Sequence, residues 1–267
     1  MSRYVLYFVA LALVPVPVQG QLASFDASGM TFGHVHLNVS DLDTHRELWT
    51  EQFGGVVVER GFLTAVRFPG MVLVLTEQPP TGPSQGSVMD HFGFKVRDLD
   101  RQLERWKAAG YEVQAEITGA EGFPNAYLLG PDGVRIELQE DTEQELDVVA
   151  HHIHFFTPEY EELLDWYVEM FGLERYERGT IATTANAPGM NLSFNGVQEP
   201  RAPTRGRVID HIGFEFEDLE SVAEELEARG IVFDVPYREI PAIGLGVAFF
   251  TDPAGVYVEL TEGLVDY

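Results

Sequence analysis

The sequence predicts an α+β fold built from four copies of one module, each a strand, a helix and about three further strands. Three observations carry that expectation. The pattern Asp-His-apolar-Gly-Phe occurs twice, as Asp90-His91-Phe92-Gly93-Phe94 and Asp210-His211-Ile212-Gly213-Phe214. Two more histidine-bearing runs interleave with it, Gly33-His34-Val35-His36-Leu37 and His151-His152-Ile153-His154-Phe155. With His34, His91, His152 and His211 as markers the spacings are 57, 61 and 59 residues, which is the signature of one unit repeated along the chain.

Each element has its own justification. In the histidine runs the apolar residues alternate: Val35, Leu37 and Val39 against His34, His36 and Asn38; Phe92, Phe94 and Val96 against His91, Gly93 and Lys95. The third and fourth runs oppose Ile153 and Phe155 to His152 and His154, and Ile212, Phe214 and Phe216 to His211, Gly213 and Glu215. A strand presents alternate residues to opposite faces, so the histidines share an open, polar face. Helix starts follow. Ser40 or Asp41 caps the first, Asp98 the second and Asp218 the fourth, while Thr157-Pro158 places a proline at the first helical position of the third. Gly54, Gly110, Gly172 and Gly230 stand where a helix ends in the left-handed conformation. Strands are expected directly after them, at residues 56–58, 111–113, 173–176 and 231–233. Trp49, Trp106 and Trp166 are expected to anchor the helix–sheet core, and His45 to be exposed on the first helix. In modules two and four the last strand follows the turns Gly130-Pro131-Asp132-Gly133 and Asp252-Pro253-Ala254-Gly255 and leaves Glu137 and Glu259 on the polar face.

Residues 1–20 read as an export signal: Arg3 is the only charge, residues 4–18 are apolar, and Val18-Gln19-Gly20 suits cleavage. That stretch is too short and proline-broken for a comfortable membrane span, so a secreted or periplasmic location without an integral membrane domain is expected. The remainder divides into a linker at 21–30, a first domain at 31–140 (modules one and two), an acidic linker at 141–149 and a second domain at 150–265 (modules three and four). The chain has no cysteine, which excludes disulfides and thiolate metal sites. Its net charge of −26 excludes nucleic acid as a partner. Lysine occurs only at Lys95 and Lys107, which fits either a saline habitat or a GC-rich genome.

In each sequence pair two histidines lie on first strands and one glutamate on a last strand; His91 precedes Glu137 by 46 residues and His211 precedes Glu259 by 48. Two imidazoles and a carboxylate are the donor set of an open divalent-metal site. These features together resemble the vicinal oxygen chelate superfamily of glyoxalases, fosfomycin-modifying enzymes and extradiol dioxygenases. The resemblance spans nearly all of residues 31–264. It implies paired βαβββ modules cupped around a metal, with His34, His91 and Glu137 as one ligand set and His152, His211 and Glu259 as the other. It also implies a small-molecule substrate held through vicinal oxygens, and Fe(II) or Mn(II) ahead of Zn or Ni. Dioxygenase-like chemistry is the first expectation; a glyoxalase-type lyase or isomerase and a non-catalytic binding protein are the alternatives, in a monomer or homodimer. Two departures bear on the branch. The acid that glyoxalase I supplies as a fourth ligand is replaced by Val74 and Ser193. The tyrosine of ring-cleaving enzymes is matched by Tyr127 but by Phe249 in the second half, and their upstream acid–base histidine is missing from both. The odd modules read His-x-His and the even ones His-x-Gly. This suggests a substrate wedged over Gly93 or Gly213, with His36 and His154 either serving as acid–base groups or bonding to sheet neighbours.

Overall fold

The computed structural model describes residues 21–267; the expected export signal lies outside the described residues. All four modules form. The first comprises β1 (Met30–Val39), α1 (Leu42–Glu47, continued by a π-helical turn Leu48–Gln52), β2 (Val56–Arg60), β3 (Leu63–Phe68) and β4 (Met71–Glu77). The second comprises β5 (Met89–Val96), α2 (Leu99–Ala108), β6 (Glu112–Thr118), β7 (Pro124–Leu129) and β8 (Arg135–Glu140). The third comprises β9 (Val148–Thr157), α3 (Tyr160–Phe171), β10 (Glu174–Arg178), β11 (Ile181–Ala187) and β12 (Met190–Gly196). The fourth comprises β13 (Ile209–Phe216), α4 (Leu219–Ala228), β14 (Phe233–Ile240), β15 (Leu245–Thr251) and β16 (Tyr257–Glu262).

The caps act as their chemistry requires. Asp41, Asp98 and Asp218 accept the otherwise unpaired N–H groups of Thr44, Arg101 and Ser221. The four helix-ending glycines all have positive φ, from 66° at Gly172 to 100° at Gly230. The third helix starts later than expected: Thr157 is the last residue of β9, Pro158 sits between, and α3 opens at Tyr160 without a side-chain cap. His45 is buried rather than exposed, because Asp132 in the turn before β8 reaches back to it at 3.1 Å.

The modules pair differently from the sequence order. One eight-stranded sheet runs β14-β15-β16-β13-β1-β4-β3-β2 and the other β10-β11-β12-β9-β5-β8-β7-β6. Modules one and four therefore share a sheet, as do two and three; the sequential cups expected within 31–140 and 150–265 do not form. The connections explain this. The short segment 141–147 lays β9 antiparallel beside β5, keeping module three in module two's sheet. The connectors 79–87 and 198–207 instead cross between sheets side by side, with Thr81 N donating to Gly206 O at 2.8 Å and Val88 N to Ala202 O at 2.9 Å.

Sequence neighbours remain joined through their outer apolar faces. Trp49 on the π-helical turn lies 5.8 Å from Phe92 of β5, and Phe171 of α3 lies 4.7 Å from Phe214 of β13. Trp49 and Trp106 are fully buried and Trp166 packs half-buried against the same core, each large side chain contributing on the order of 2–3 kcal/mol by burial. A second, smaller apolar cluster (Ala65, Val72, Val74, Ile243, Leu245, Val247, Leu264 and Tyr267) lines the first cup, that of modules one and four.

Candidate metal centres

Strand register assembles each centre across three strands. In the first cup His34 on β1 lies opposite Gly213 on β13, and Gly213 lies beside Glu259 on β16. In the second cup His152, Gly93 and Glu137 form the same row across β9, β5 and β8. The glycine is required by its neighbour: a Cβ on Gly213 would overlap the His34 ring, and one on Gly93 would overlap His152. The space over each glycine is thus filled by the cross-strand histidine, which corrects the expectation of a substrate wedged there.

The donors converge. His34 Nε2 is 2.9 Å and His211 Nε2 3.0 Å from Glu259 Oε2. His152 Nε2 is 3.0 Å and His91 Nε2 2.9 Å from Glu137 Oε2. All six candidate residues therefore enter a centre, but with exchanged partners: His34 joins His211 and Glu259, and His152 joins His91 and Glu137. In each centre one ligand atom from every triad residue and one from the second histidine, His36 or His154, all lie within 4.8 Å of one another. Both ring nitrogens of His34 are buried without a hydrogen bond, although Nε2 is close to Glu259. A nitrogen beside a carboxylate oxygen but off the hydrogen-bonding line, in a set of two imidazoles and one carboxylate, fits a divalent ion held between them.

Two residues that sequence reasoning left without a role orient these histidines. Asp210 Oδ1 lies 2.6 Å from His211 Nδ1 and Asp90 Oδ1 2.9 Å from His91 Nδ1. Strict alternation would send each aspartate to the opposite face, but the pairing slips between His36/Leu37 and between Met89/His91, so each aspartate occupies a bulge that turns it back. Asp210 is held by Asn38 and the Gly206 N–H, and Asp90 by Arg135 and Arg201. Such carboxylate–imidazole pairs fix which nitrogen faces the metal. The repeated Asp-His dipeptide was the available signal.

The electrostatics follow. Burial alone would push His211 down, but Asp210 and Glu259 override it and raise it to about 9; His91 is raised in the same way by Asp90 and Glu137. His34 and His152 are lowered by burial despite their glutamates. Glu259 and Glu137 are held well below the usual carboxylate range by the facing histidines, against their own burial. His36 and His154 are pushed down to about 3, chiefly by burial and then by His211 and His91.

The second histidines bond to sheet neighbours. His36 Nε2 meets Thr76 Oγ1 at 2.9 Å and its ring packs 4.3 Å from His211. His154 meets Asn195 Oδ1 at 2.9 Å and packs 4.7 Å from His91. Tyr127 stands edge-on to His91 at 5.2 Å under the Arg135 guanidinium, and burial raises its hydroxyl. Phe249 occupies the matching place beside His211. A cavity of about 190 Å³ opens over the first centre, with His34, His36, His211 and Glu259 in its wall and otherwise mainly apolar residues, including Leu63, Val74 and Ile243.

The model of the glyoxalase/bleomycin resistance protein/dioxygenase superfamily matches residues 31–138 and 149–260, and the chain belongs to that family. Among solved structures it is similar to glyoxalase I from Zea mays, at 18% identity and a TM-score of 0.69, covering 89% of this chain and 94% of that one. It is also similar to a proposed dioxygenase from Bacillus subtilis subsp. subtilis str. 168, at 14% identity and a TM-score of 0.65, covering 90% and 86%. These likenesses concern the fold. No curated protein matches the chain.

Proposed function

We propose that the chain is an exported, divalent-metal-dependent enzyme that holds a small substrate through two neighbouring oxygens and carries out dioxygenase-like chemistry. The observation that supports this reading is the first centre: two histidines and a carboxylate converge at the floor of a largely apolar cavity. His34, His211 and Glu259 would hold the ion in that cup, and His91, His152 and Glu137 in the other. Fe(II) or Mn(II) suits the donor set first, Zn or Ni after them. When bound, the ion supplies Lewis acidity to the chelated oxygens and a site for O₂.

The protein's residues supply the rest. Asp210 fixes the orientation of His211, and Gly213 gives the His34 ring its place. The mainly apolar walls exclude water from the body of the substrate, and Arg238 in the same wall offers one cationic contact, which favours a compact body behind the chelating oxygens. His36 engages Thr76 through Nε2 and burial keeps its ring neutral, so its remaining nitrogen, Nδ1, takes a proton only in transit as negative charge on the chelated substrate is relieved. Both centres are completed within one chain, so either a monomer or a homodimer can function. Export and a secreted or periplasmic location rest on residues 1–20; among the described residues no helix is long and apolar enough to cross a membrane.

Elemental analysis of the purified chain, followed by oxygen-uptake assays on diols and 2-oxo acids, tests the proposal. Metal in the protein with substrate-dependent O₂ consumption supports it. Conversion without O₂ consumption would move the assignment to a glyoxalase-type lyase or isomerase. Refusal of Fe, Mn, Ni and Zn would leave a binding protein.

A further inference from the structure

The two cups differ at a set of matched positions above their centres. In the second cup Arg178, at the end of β10, is 3% exposed. Its Nη2 lies 2.8 Å from His154 Nε2, its Nε 3.3 Å from Ser193 Oγ, and its Nη1 3.3 Å from Glu121 Oε1. Since His154 stacks on His91, the guanidinium stands one imidazole away from the donor cluster. The hairpin tips close over it, Thr180 N donating to Ala120 O at 3.0 Å.

In the first cup two of these three partners are replaced, and His36 stands where His154 does. Val74 takes the register position of Ser193, beside His36 rather than His154. Ile243 stands in the hairpin turn where Glu121 stands in the other: each lies six residues before the residue that faces the glutamate, Phe249 opposite Glu259 and Tyr127 opposite Glu137. Arg60, at the end of β2, matches Arg178 but turns away, donating to Asp266 O at 3.0 Å and lying 4.3 Å over the Tyr267 ring. The lower row differs too: Asn125 donates to Glu137 Oε1 at 2.6 Å, whereas the residue at its register position is Val247. The second cup holds an arginine on polar partners, whereas the first leaves a cavity of mainly apolar wall with Arg238 in its lining.

We propose that Arg178, paired with Glu121, is a built-in occupant of the second cup that fills the space substrate takes in the first, so that a vicinal-oxygen ligand enters only the first cup. This rests on the metal-dependent reading above. A buried guanidinium with three polar partners is displaced only at the cost of leaving its carboxylate, hydroxyl and imidazole partners unpaired, so a small chelator whose oxygens are committed to the metal does not dislodge it.

The test uses single-cup chains loaded with Mn(II): Glu137→Ala retains the first centre and Glu259→Ala the second. Acetohydroxamate, which presents two neighbouring oxygens, is titrated calorimetrically into each after the bound manganese has been quantified. The first-cup chain is expected to bind it at least about tenfold more tightly than the second-cup chain. Adding Arg178→Ser to the second-cup chain is expected to recover that factor, and Glu121→Gln, a milder change should the serine variant misfold, to recover part of it. Equal affinity in the two single-cup chains, or no gain in the second-cup chain on either substitution, overturns the proposal. If neither chain takes up manganese, the metal reading itself fails, and the occupant is judged without metal. Methylguanidinium should then raise the melting temperature of Arg178→Ser and not of the unsubstituted chain; no difference between them overturns it.

Discussion

Glu215 offers a measurement of how the first cup is closed at its far end. It lies on the same face of β13 as His211, beside Thr31 and Thr261, and is fully buried under the turn formed by residues 263–265. Oε1 accepts from Val265 N at 3.2 Å, while Oε2 has no partner. Burial raises the carboxyl from 4.5 to about 7, the Thr261 hydroxyl and the turn's N–H groups offsetting only part of it. The folded chain therefore holds the proton more tightly than the unfolded one. That contribution is fully present below the unfolded value of 4.5 and is lost as pH rises through about 7. At about 1.4 kcal/mol per tenfold, the full window is worth on the order of 3 kcal/mol. Glu215→Gln keeps the shape and removes the ionisation. Urea denaturation of both proteins, with chelator present throughout, should show the wild type losing up to about 3 kcal/mol relative to the variant between roughly pH 5 and 9. Other titrating groups are common to both chains and cancel in the difference. Parallel pH profiles would refute the argument, because they would mean that Glu215 ionises as readily folded as unfolded.

The remaining predictions concern the centres. His91→Ala should remove about one metal equivalent per chain and leave the His34–His211–Glu259 centre loaded; loss from the first centre instead would contradict the exchanged pairing. Gly213→Ala should leave the chain folded by circular dichroism while lowering first-cup metal content, because the added methyl displaces the His34 ring; undiminished metal would show that this ring is not a ligand. In a chain whose second centre is removed by Glu137→Ala, His34→Ala should lose the metal, whereas His36→Gln should keep it and lose turnover. If His36→Gln keeps both, the second histidine serves only its bond to Thr76.

What the sequence revealed and what it hid separate along physical lines. Period-two alternation and helix punctuation are local, so the four modules, the polar face and all six triad residues were legible. The partnership of the modules was not, because the sequence order suggested pairing one with two and three with four, whereas the short acidic segment 141–147 keeps three beside two and the longer connectors 79–87 and 198–207 cross between sheets, tied to each other by bonds such as Thr81 to Gly206. The same gap misplaced His45, whose burial is set by Asp132, 87 residues away. It also concealed the role of Asp90 and Asp210, since a bulge changes the face a side chain takes without changing the sequence pattern that predicts it. Arg60 and Arg178 make the limit plainest. They are the same residue at the same point of the repeat, each preceded by a glutamate and followed by a glycine. One is drawn outward by Asp266 and Tyr267, more than two hundred positions on; the other is drawn inward by Glu121 and Ser193. In a duplicated fold the catalytic face can be inherited from the module, but whether a cup is open is determined by its partner module and by the segments that fold across it. A triad read from sequence alone therefore counts candidate centres, and the space above each of them can be read only once the partner module is in place.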